Sequence, residues 1–300
     1  MQPSYIEKLT PDELSGRAKK LVEILGSCRI CPHKCEVNRV NGETGICRSA
    51  NEVIISSISP HFGEEAPLVG MNGSGTIFFT NCNLSCEFCQ NYSISHLGDG
   101  RIISIEALSE CMLHLQKLGC HNINLVTPTH YVPQIVCALE IASGKGLELP
   151  VVYNCGGYES VETLKLLKDI VDIYMPDIKY SDNETAEKYS GISNYWDVVK
   201  KSLKEMHNQV GDLHIKRSGI ATRGLLIRHL VLPNKLAGSI KILDFIANEL
   251  SVDSYVNIMD QYRPAYLAHN YEELNRPISS DEFYEVISYA KRIGFHRGFY

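Results

Sequence analysis

A chain of 300 residues is long enough for one large domain, or for one domain with an appendage. Its 44% hydrophobic and 21% charged residues describe an ordinary globular protein, and a net charge of −6 gives no overall basic signature for nucleic acid. No apolar run approaches the ~18 residues of a membrane span, and the start, MQPSYIEKLTPDELSG, lacks a signal-peptide core, so the expected location is the cytoplasm.

Residues 10–26 are expected to form a helix. Thr10 is an N-cap candidate, Pro11 suits the first helical position and Glu13 completes a capping box. Leu14, Ala18, Leu21, Val22 and Leu25 recur at helical spacing, and Gly26 is a plausible stop. Cys28, Cys31, Cys35 and Cys47 follow, spaced C-x2-C-x3-C-x11-C. Four thiolates with two close spacings and a glycine-containing return loop fit a tetrahedral metal site. A structural zinc is the first reading, an auxiliary iron–sulfur cluster the second, and free thiols or disulfides around a tight loop the third. Residues 52–60 read as a strand, and Glu64 and Glu65 read first as a solvated face, with a substrate-side pair as the alternative.

From residue 76 the pattern alternates. Strands are expected at 76–80, 122–126, 149–153, 171–175, 225–231 and 255–259. Helices are expected at about 104–118, 133–142, 161–169, 182–209, 238–250 and 279–291, the last opened by a Ser279/Glu282 capping box. Six strand–helix units predict a parallel sheet covered by helices, with right-handed crossovers. The pattern alone leaves a curved partial barrel and a flat doubly wound sheet equally open.

Cys82, Cys86 and Cys89 lie directly after the strand at 76–80, spaced C-x3-C-x2-C with Phe88 before the last cysteine. Three soft thiolates within eight residues can converge on one metal centre, and they are one short of closing an ordinary [4Fe–4S] cluster. Of the eleven cysteines, seven sit in these two sets; Cys111, Cys120 and Cys137 read as small core hydrophobes. In parallel α/β folds, ligands collect where strands end. Besides the triplet, those ends carry Thr127-Pro128-Thr129-His130, Asn154-Cys155-Gly156-Gly157, Met175 with Asp177 and Lys179, Arg228, and Asp260. His130 reads equally as a packing residue and as a site residue.

The motif GTIFFTNCNLSCEFCQNY resembles the radical S-adenosylmethionine (radical SAM) superfamily, whose signature is CxxxCxΦC with an aromatic at Φ. The resemblance implies a partial (β/α)6 barrel, here residues 71–300, behind an N-terminal helix and cysteine-rich appendage, residues 1–70. It implies a [4Fe–4S] cluster on Cys82, Cys86 and Cys89 whose open iron binds SAM. It further implies an electron donor such as flavodoxin or ferredoxin, and hydrogen abstraction from a protein, peptide or small-molecule substrate. Asp177-Ile178-Lys179, Ile227-Arg228 and Asn154-Cys155-Gly156-Gly157 are similar to motifs of pyruvate formate-lyase activating enzyme. The stretches INLVTPTHYVPQI, YNCGGYESVETL and CRICPHKCEVNR resemble an uncharacterised, PflX-like branch related to it. By that resemblance Phe88, Thr127, Thr129, Asn154, Gly156, Met175, Asp177, Lys179 and Arg228 surround the cofactor, with Lys179 and Arg228 paired to carboxylates of SAM or substrate. Two features depart from the activases. Thr127-Pro128-Thr129 stands where they have Gly-Gly-Glu, and the extra cysteines precede the radical motif rather than follow it. Two other classes fit the same residues: a zinc-stabilised binding module without turnover, and an iron–sulfur electron carrier.

Overall fold

The computed structural model describes residues 2–299. Its centre is a nine-stranded sheet. The strands are β1 (Val53–His61), β2 (Ser74–Phe79), β3 (Arg101–Ile103), β4 (Ile123–Val126), β5 (Val151–Cys155), β6 (Ile173–Pro176), β7 (His214–Ile215), β8 (Ala221–Leu230) and β9 (Tyr255–Met259). Strands β2, β4, β5, β6, β8 and β9 neighbour one another in chain order and pair in parallel. Helices return the chain between them: α1 (Pro11–Glu23) precedes the sheet, then α2 (Ile105–Lys117), α3 (Val132–Gly144), α4 (Val161–Leu166), α5 (Asn183–Ser190), α6 (Tyr195–Val210), α7 (Ser239–Glu249) and α8 (Ser280–Arg292). Sequential parallel strands with helical crossovers give the partial (β/α)6 barrel, with the N-terminal helix and cysteine-rich segment set against it.

Local chemistry fixes the elements much as the pattern foretold. Both capping boxes form: Thr10 accepts from the Glu13 amide at 3.3 Å while the Glu13 carboxylate accepts from the Thr10 amide at 2.8 Å, and Ser279 and Glu282 do the same. Such caps contribute about 1 kcal/mol each. The α1 stripe of Leu14, Ala18 and Leu21 is buried against the barrel, mainly on α3. The helix expected at 182–209 is two helices, because Gly191 takes the left-handed conformation (φ 68°) and ends α5. That is the usual role of glycine after a last turn. The sequence reading missed the three-residue β3 and two-residue β7, both too short for a periodic signal. It also left open how the strand at 52–60 would pair. That strand, β1, runs antiparallel to β2 and β3, so the N-terminal 70 residues contribute a strand to the same sheet as the barrel.

Alternation along the strands sorts the side chains. Tyr153 and Tyr174 face the helices in the main core. Val152, Ile173, Met175 and Leu226 face the other way, around Leu68 from the turn after β1. Asn154, Asp177 and Arg228 continue that inner row at the C-terminal ends of their strands, one side-chain layer above the apolar plug.

Candidate active site at the barrel mouth

The loop leaving β2 holds the cysteine triplet against the end of α5. The Ser85 amide donates to the Ser190 carbonyl (3.2 Å) and the Glu87 amide to the Tyr189 carbonyl (2.9 Å). Each thiol has one close polar partner. The Leu84 amide donates to Cys82 Sγ at 3.3 Å, and the buried Ser190 hydroxyl donates to Cys86 Sγ at 3.0 Å. Ser95 Oγ lies 3.1 Å from Cys89 Sγ. Ser190 is itself tied to the Tyr180 hydroxyl at 2.8 Å. Donors on the sulfurs are the usual means of tuning a thiolate-bound centre.

All three thiols line one cavity of about 120 Å³, shared with Thr127, Asn154, Gly156 and Lys179. A second cavity of about 220 Å³ opens beside it and shares Cys86, Cys89, Asp177, Lys179 and Arg228; Phe88 and Gln261 form part of its wall. The two make one cleft across the C-terminal ends of the strands. Burial, reinforced by the neighbouring Cys86, pushes the Cys82 thiol up to about 12, and burial raises Cys86 as well. A soft cation or cluster would offset this by replacing the thiol protons. A fourth sulfur lies near but is turned away. Cys155 is paired with the buried Glu159, which also accepts from Thr129 (2.6 Å) and Tyr153 (3.0 Å) behind the sheet. Among the described residues no three His, Cys, Asp or Glu side chains close to the spacing of a single bound ion. The other donors on the wall are engaged within the protein, His96 Nε2 with the Cys86 carbonyl (3.1 Å) and Asp177 with Arg228 and Lys179, so three thiols face the cavity and suit a group larger than an ion, with one position left for an outside ligand.

The charged residues of the rim form one network. Arg228 donates through Nε to Asp177 (2.8 Å) and through Nη2 to Asn154 (2.8 Å). Its Nη1 lies 3.6 Å from Glu64 and 3.8 Å from Glu65. Lys179 Nζ donates to the other Asp177 oxygen at 2.9 Å. Burial alone would raise the Asp177 carboxyl, but Arg228 and Lys179 outweigh it and hold the group at about 2. Glu64 and Glu65 correct a sequence expectation. They are not on a solvated face: their side chains are only 7% and 6% exposed, and they point up at Arg228 from the barrel floor. The signal available in the sequence was the Ala66-Pro67-Leu68 that follows, an apolar plug that carries its acidic neighbours inside with it.

The other expected site residues divide. Thr127 reaches the cleft with a left-handed backbone (φ 59°), which is costly for a β-branched residue and characteristic of functional turns. Thr129 points behind the sheet to Glu159, and Met175 is fully buried in the plug layer; neither lines the cleft. Gly156 lines it, and Gly157 must be glycine, since its φ is 77° and a Cβ would stand 2.6 Å from the Asp177 carbonyl oxygen. His130 is a packing residue: fully buried, hydrogen-bonded to the Thr80 carbonyl at 2.8 Å and held neutral by burial, its pKa lowered to about 3. His96, which sequence reasoning passed over, also lines the cleft. It is stacked on Tyr266 at 4.4 Å, and Tyr266 on Tyr92 at 5.3 Å.

The N-terminal cysteines occupy a separate, tight loop. The Cys28 amide donates to the Val37 carbonyl and the Glu36 amide to the Cys28 carbonyl, both at 2.9 Å. Cys35 lies against Gly45, where a Cβ would meet its sulfur at 2.7 Å. All four thiols are free. His33 ties this loop to the triplet through a 2.8 Å hydrogen bond between its Nε2 and the Asn83 carbonyl.

The comparisons with known proteins agree with this geometry. The family model for the radical SAM superfamily matches residues 76–220, which run from β2 past β7. An uncharacterized protein of Methanocaldococcus jannaschii is 34% identical over 296 residues, covering 96% of this chain and 81% of that protein. Among solved structures, SuiB of Streptococcus suis bound to the precursor peptide SuiA superimposes with a TM-score of 0.50 at 14% identity, over 73% of this chain and 46% of SuiB. The FeFe-hydrogenase maturase HydG of Carboxydothermus hydrogenoformans gives 0.51 at 13% identity, over 73% of this chain and 50% of HydG. The chain thus spans about half the length of these solved chains, and the likeness to them is one of fold. Among the described residues no helix is long and apolar enough to cross a membrane. The family implies a [4Fe–4S] cluster and SAM, and the donor set at the barrel mouth fits that pair. The cysteine signature, the sequential six-stranded barrel and the family model together support the radical SAM superfamily for the part of the chain that the model matches, residues 76–220.

Proposed function

We propose that this protein is a SAM-cleaving enzyme whose cluster sits on Cys82, Cys86 and Cys89. When bound, the group supplies the electron that breaks the SAM sulfonium and so starts hydrogen abstraction from a substrate. The chain's own residues do the rest. Ser190, Ser95 and the Leu84 amide steady the three sulfurs. Phe88 and His96 wall the cavity and keep water out of it. Thr127, Asn154 and Gly156 present polar backbone and side-chain atoms on the side facing the triplet. Lys179 is the cation that meets the SAM carboxylate, because only one of its bonds goes to Asp177. Arg228 acts from beneath, its donors committed to Asp177, Asn154 and the two glutamates. Thr129 and Met175 support the rim from behind and below. Residues 1–70 serve as an appendage to the barrel of 71–300.

The observation that carries this reading is a set of three thiols, Cys86 buried and Cys82 and Cys89 half-buried, on the wall of one cavity that also holds a lysine, while the Cys155 thiol on the same wall is engaged by Glu159. The substrate class is a protein, a peptide or a small molecule; SuiB, which shares the fold, is known bound to a precursor peptide. Activation of a glycyl radical enzyme, as in the pyruvate formate-lyase activating enzymes, is the finer version of the same reading. A flavodoxin- or ferredoxin-type donor would supply the electron, and a reducing cytoplasm would keep the cysteines as thiols. The test is anaerobic reconstitution with iron and sulfide, followed by SAM and dithionite. Wild type is expected to release 5′-deoxyadenosine, and the Cys82/Cys86/Cys89→Ala variant to lose at least about 10³ of that rate. Reconstituted wild type that leaves SAM intact would overturn the proposal.

A further inference from the structure

Arg39 is fully buried. Its guanidinium donates through Nε and Nη2 to the Ala50 carbonyl (3.0 and 2.6 Å) and through Nη1 to the His130 carbonyl (2.7 Å). The same Nη1 lies 4.0 Å from Cys28 Sγ. Among the described residues no carboxylate stands within ion-pair distance of it, whereas Arg228, also enclosed, has Asp177, Glu64 and Glu65 around it. Carbonyl dipoles satisfy the N–H groups but leave the positive charge without a counter-charge. An unpaired buried charge costs several kcal/mol after relaxation, and arginine does not escape by losing its proton. Something anionic must therefore stand beside it, and among the described residues the ionisable groups in its reach are the Cys28 and Cys47 sulfurs and the Tyr131 hydroxyl, which burial keeps protonated.

We propose that Cys28, Cys31, Cys35 and Cys47 together bind one tetrathiolate metal centre of net negative charge, and that Arg39 is its counter-ion. Four thiolates around a zinc ion leave a net charge of about −2, and around an oxidised [4Fe–4S] core the same, so both centres answer the arginine equally. On binding, four thiol protons leave to solvent and four sulfur–metal bonds form. As at the barrel mouth, no three of these side chains stand at single-ion spacing among the described residues, which suits the larger [4Fe–4S] core better than one zinc ion. The backbone that carries them is unusual. Lys34 (φ 45°) and Glu36 (φ 58°) flank Cys35, and Arg48 (φ 56°) follows Cys47, all three in the left-handed region. The N-terminal set is thus a closed centre that organises residues 28–50, in contrast to the open triplet.

The test uses the full chain carrying Cys82/Cys86/Cys89→Ala, so that any bound metal belongs to the N-terminal set and the result is independent of SAM chemistry. One arm loads zinc alone; the other loads ferrous iron with sulfide under argon. The proposal expects one zinc per chain, or four irons with four sulfides, in one of the arms, and loss of that metal in Cys28→Ser/Cys31→Ser. It also expects Arg39→Met to weaken retention against a chelator at least tenfold while raising the melting temperature of the chelator-stripped protein, and Arg39→Lys to recover most of the retention. Absence of stoichiometric metal in both arms overturns the proposal. So does an Arg39→Met protein that holds metal as tightly as its parent. Should Arg39→Met fail to fold, the Arg39→Lys retention and the Cys28→Ser/Cys31→Ser stoichiometry decide alone.

Discussion

Two arginines stand beside two cysteine sets, Arg39 fully buried and Arg228 half-buried at the cleft, and their surroundings differ. Arg228, under the barrel mouth, is enclosed by Asp177, Glu64 and Glu65 and bonded to Asn154. Arg39, inside the N-terminal loop, hydrogen-bonds among the described residues to the Ala50 and His130 carbonyls and lies 4.0 Å from the Cys28 sulfur. The barrel mouth therefore balances its own charge within the protein and can leave its three thiols and Lys179 facing a ligand. The appendage holds a cation without a carboxylate partner among the described residues. On the proposal of a tetrathiolate centre, one region is pre-organised by the chain and the other would be completed from outside.

The sharpest way to break this contrast is Arg228→Met. It removes the cation facing the buried Glu64 and Glu65 and leaves Asp177 to Lys179 alone, so the unfolding free energy at neutral pH should fall by about 3 kcal/mol whether or not metal is present. Chemical denaturation in the presence and absence of chelator measures it. A loss below about 1 kcal/mol, or one that appears only without metal, would remove the distinction between the two arginines.

Glu159 offers a smaller and pH-dependent probe, because it lies behind the barrel mouth on the side of the N-terminal loop and influences both Cys155 and Cys31. Burial raises its carboxyl from 4.5 to about 7, partly countered by hydrogen bonds from Thr129, Tyr153 and Cys155. A raised folded-state pKa means that Glu159 favours folding fully below about pH 4.5. The contribution is then lost as the pH rises through about 7. The loss amounts to about 3 kcal/mol by order of magnitude. Glu159→Gln should therefore gain on wild type as pH increases from 4.5 to 8, and a pH-independent difference between the two unfolding free energies would contradict the assignment.

Much of this was legible in the sequence, and the reasons are physical. The six strand–helix units carried strong periodicity, and the capping pairs Thr10/Glu13 and Ser279/Glu282 are local devices that need no tertiary information. The cysteine triplet was legible because its spacing is itself the ligand geometry. Curvature of the sheet was not, since alternation serves barrels and open sheets alike; the superfamily resemblance supplied it. Glu64 and Glu65 were first read as solvated because adjacent acidic residues usually face water, and Arg228 of β8, above them, reverses that preference. Arg228 was expected to grip a ligand, yet its partners come from β5, β6 and the β1–β2 turn, which no one stretch of sequence displays together. Arg39 was passed over between its cysteines, although a long cation inside a cysteine quartet is a signal that could be sought elsewhere. The split of residues 182–209 turned on one glycine whose φ sequence does not reveal.

The central claim is that Cys82, Cys86 and Cys89 leave one position of their cluster open to SAM. The most direct measurement is the electron paramagnetic resonance spectrum of dithionite-reduced, reconstituted protein before and after SAM is added. The account predicts a changed [4Fe–4S] signal on SAM addition, absent from the Cys82/Cys86/Cys89→Ala variant. A reduced cluster whose spectrum is the same with and without SAM would contradict it.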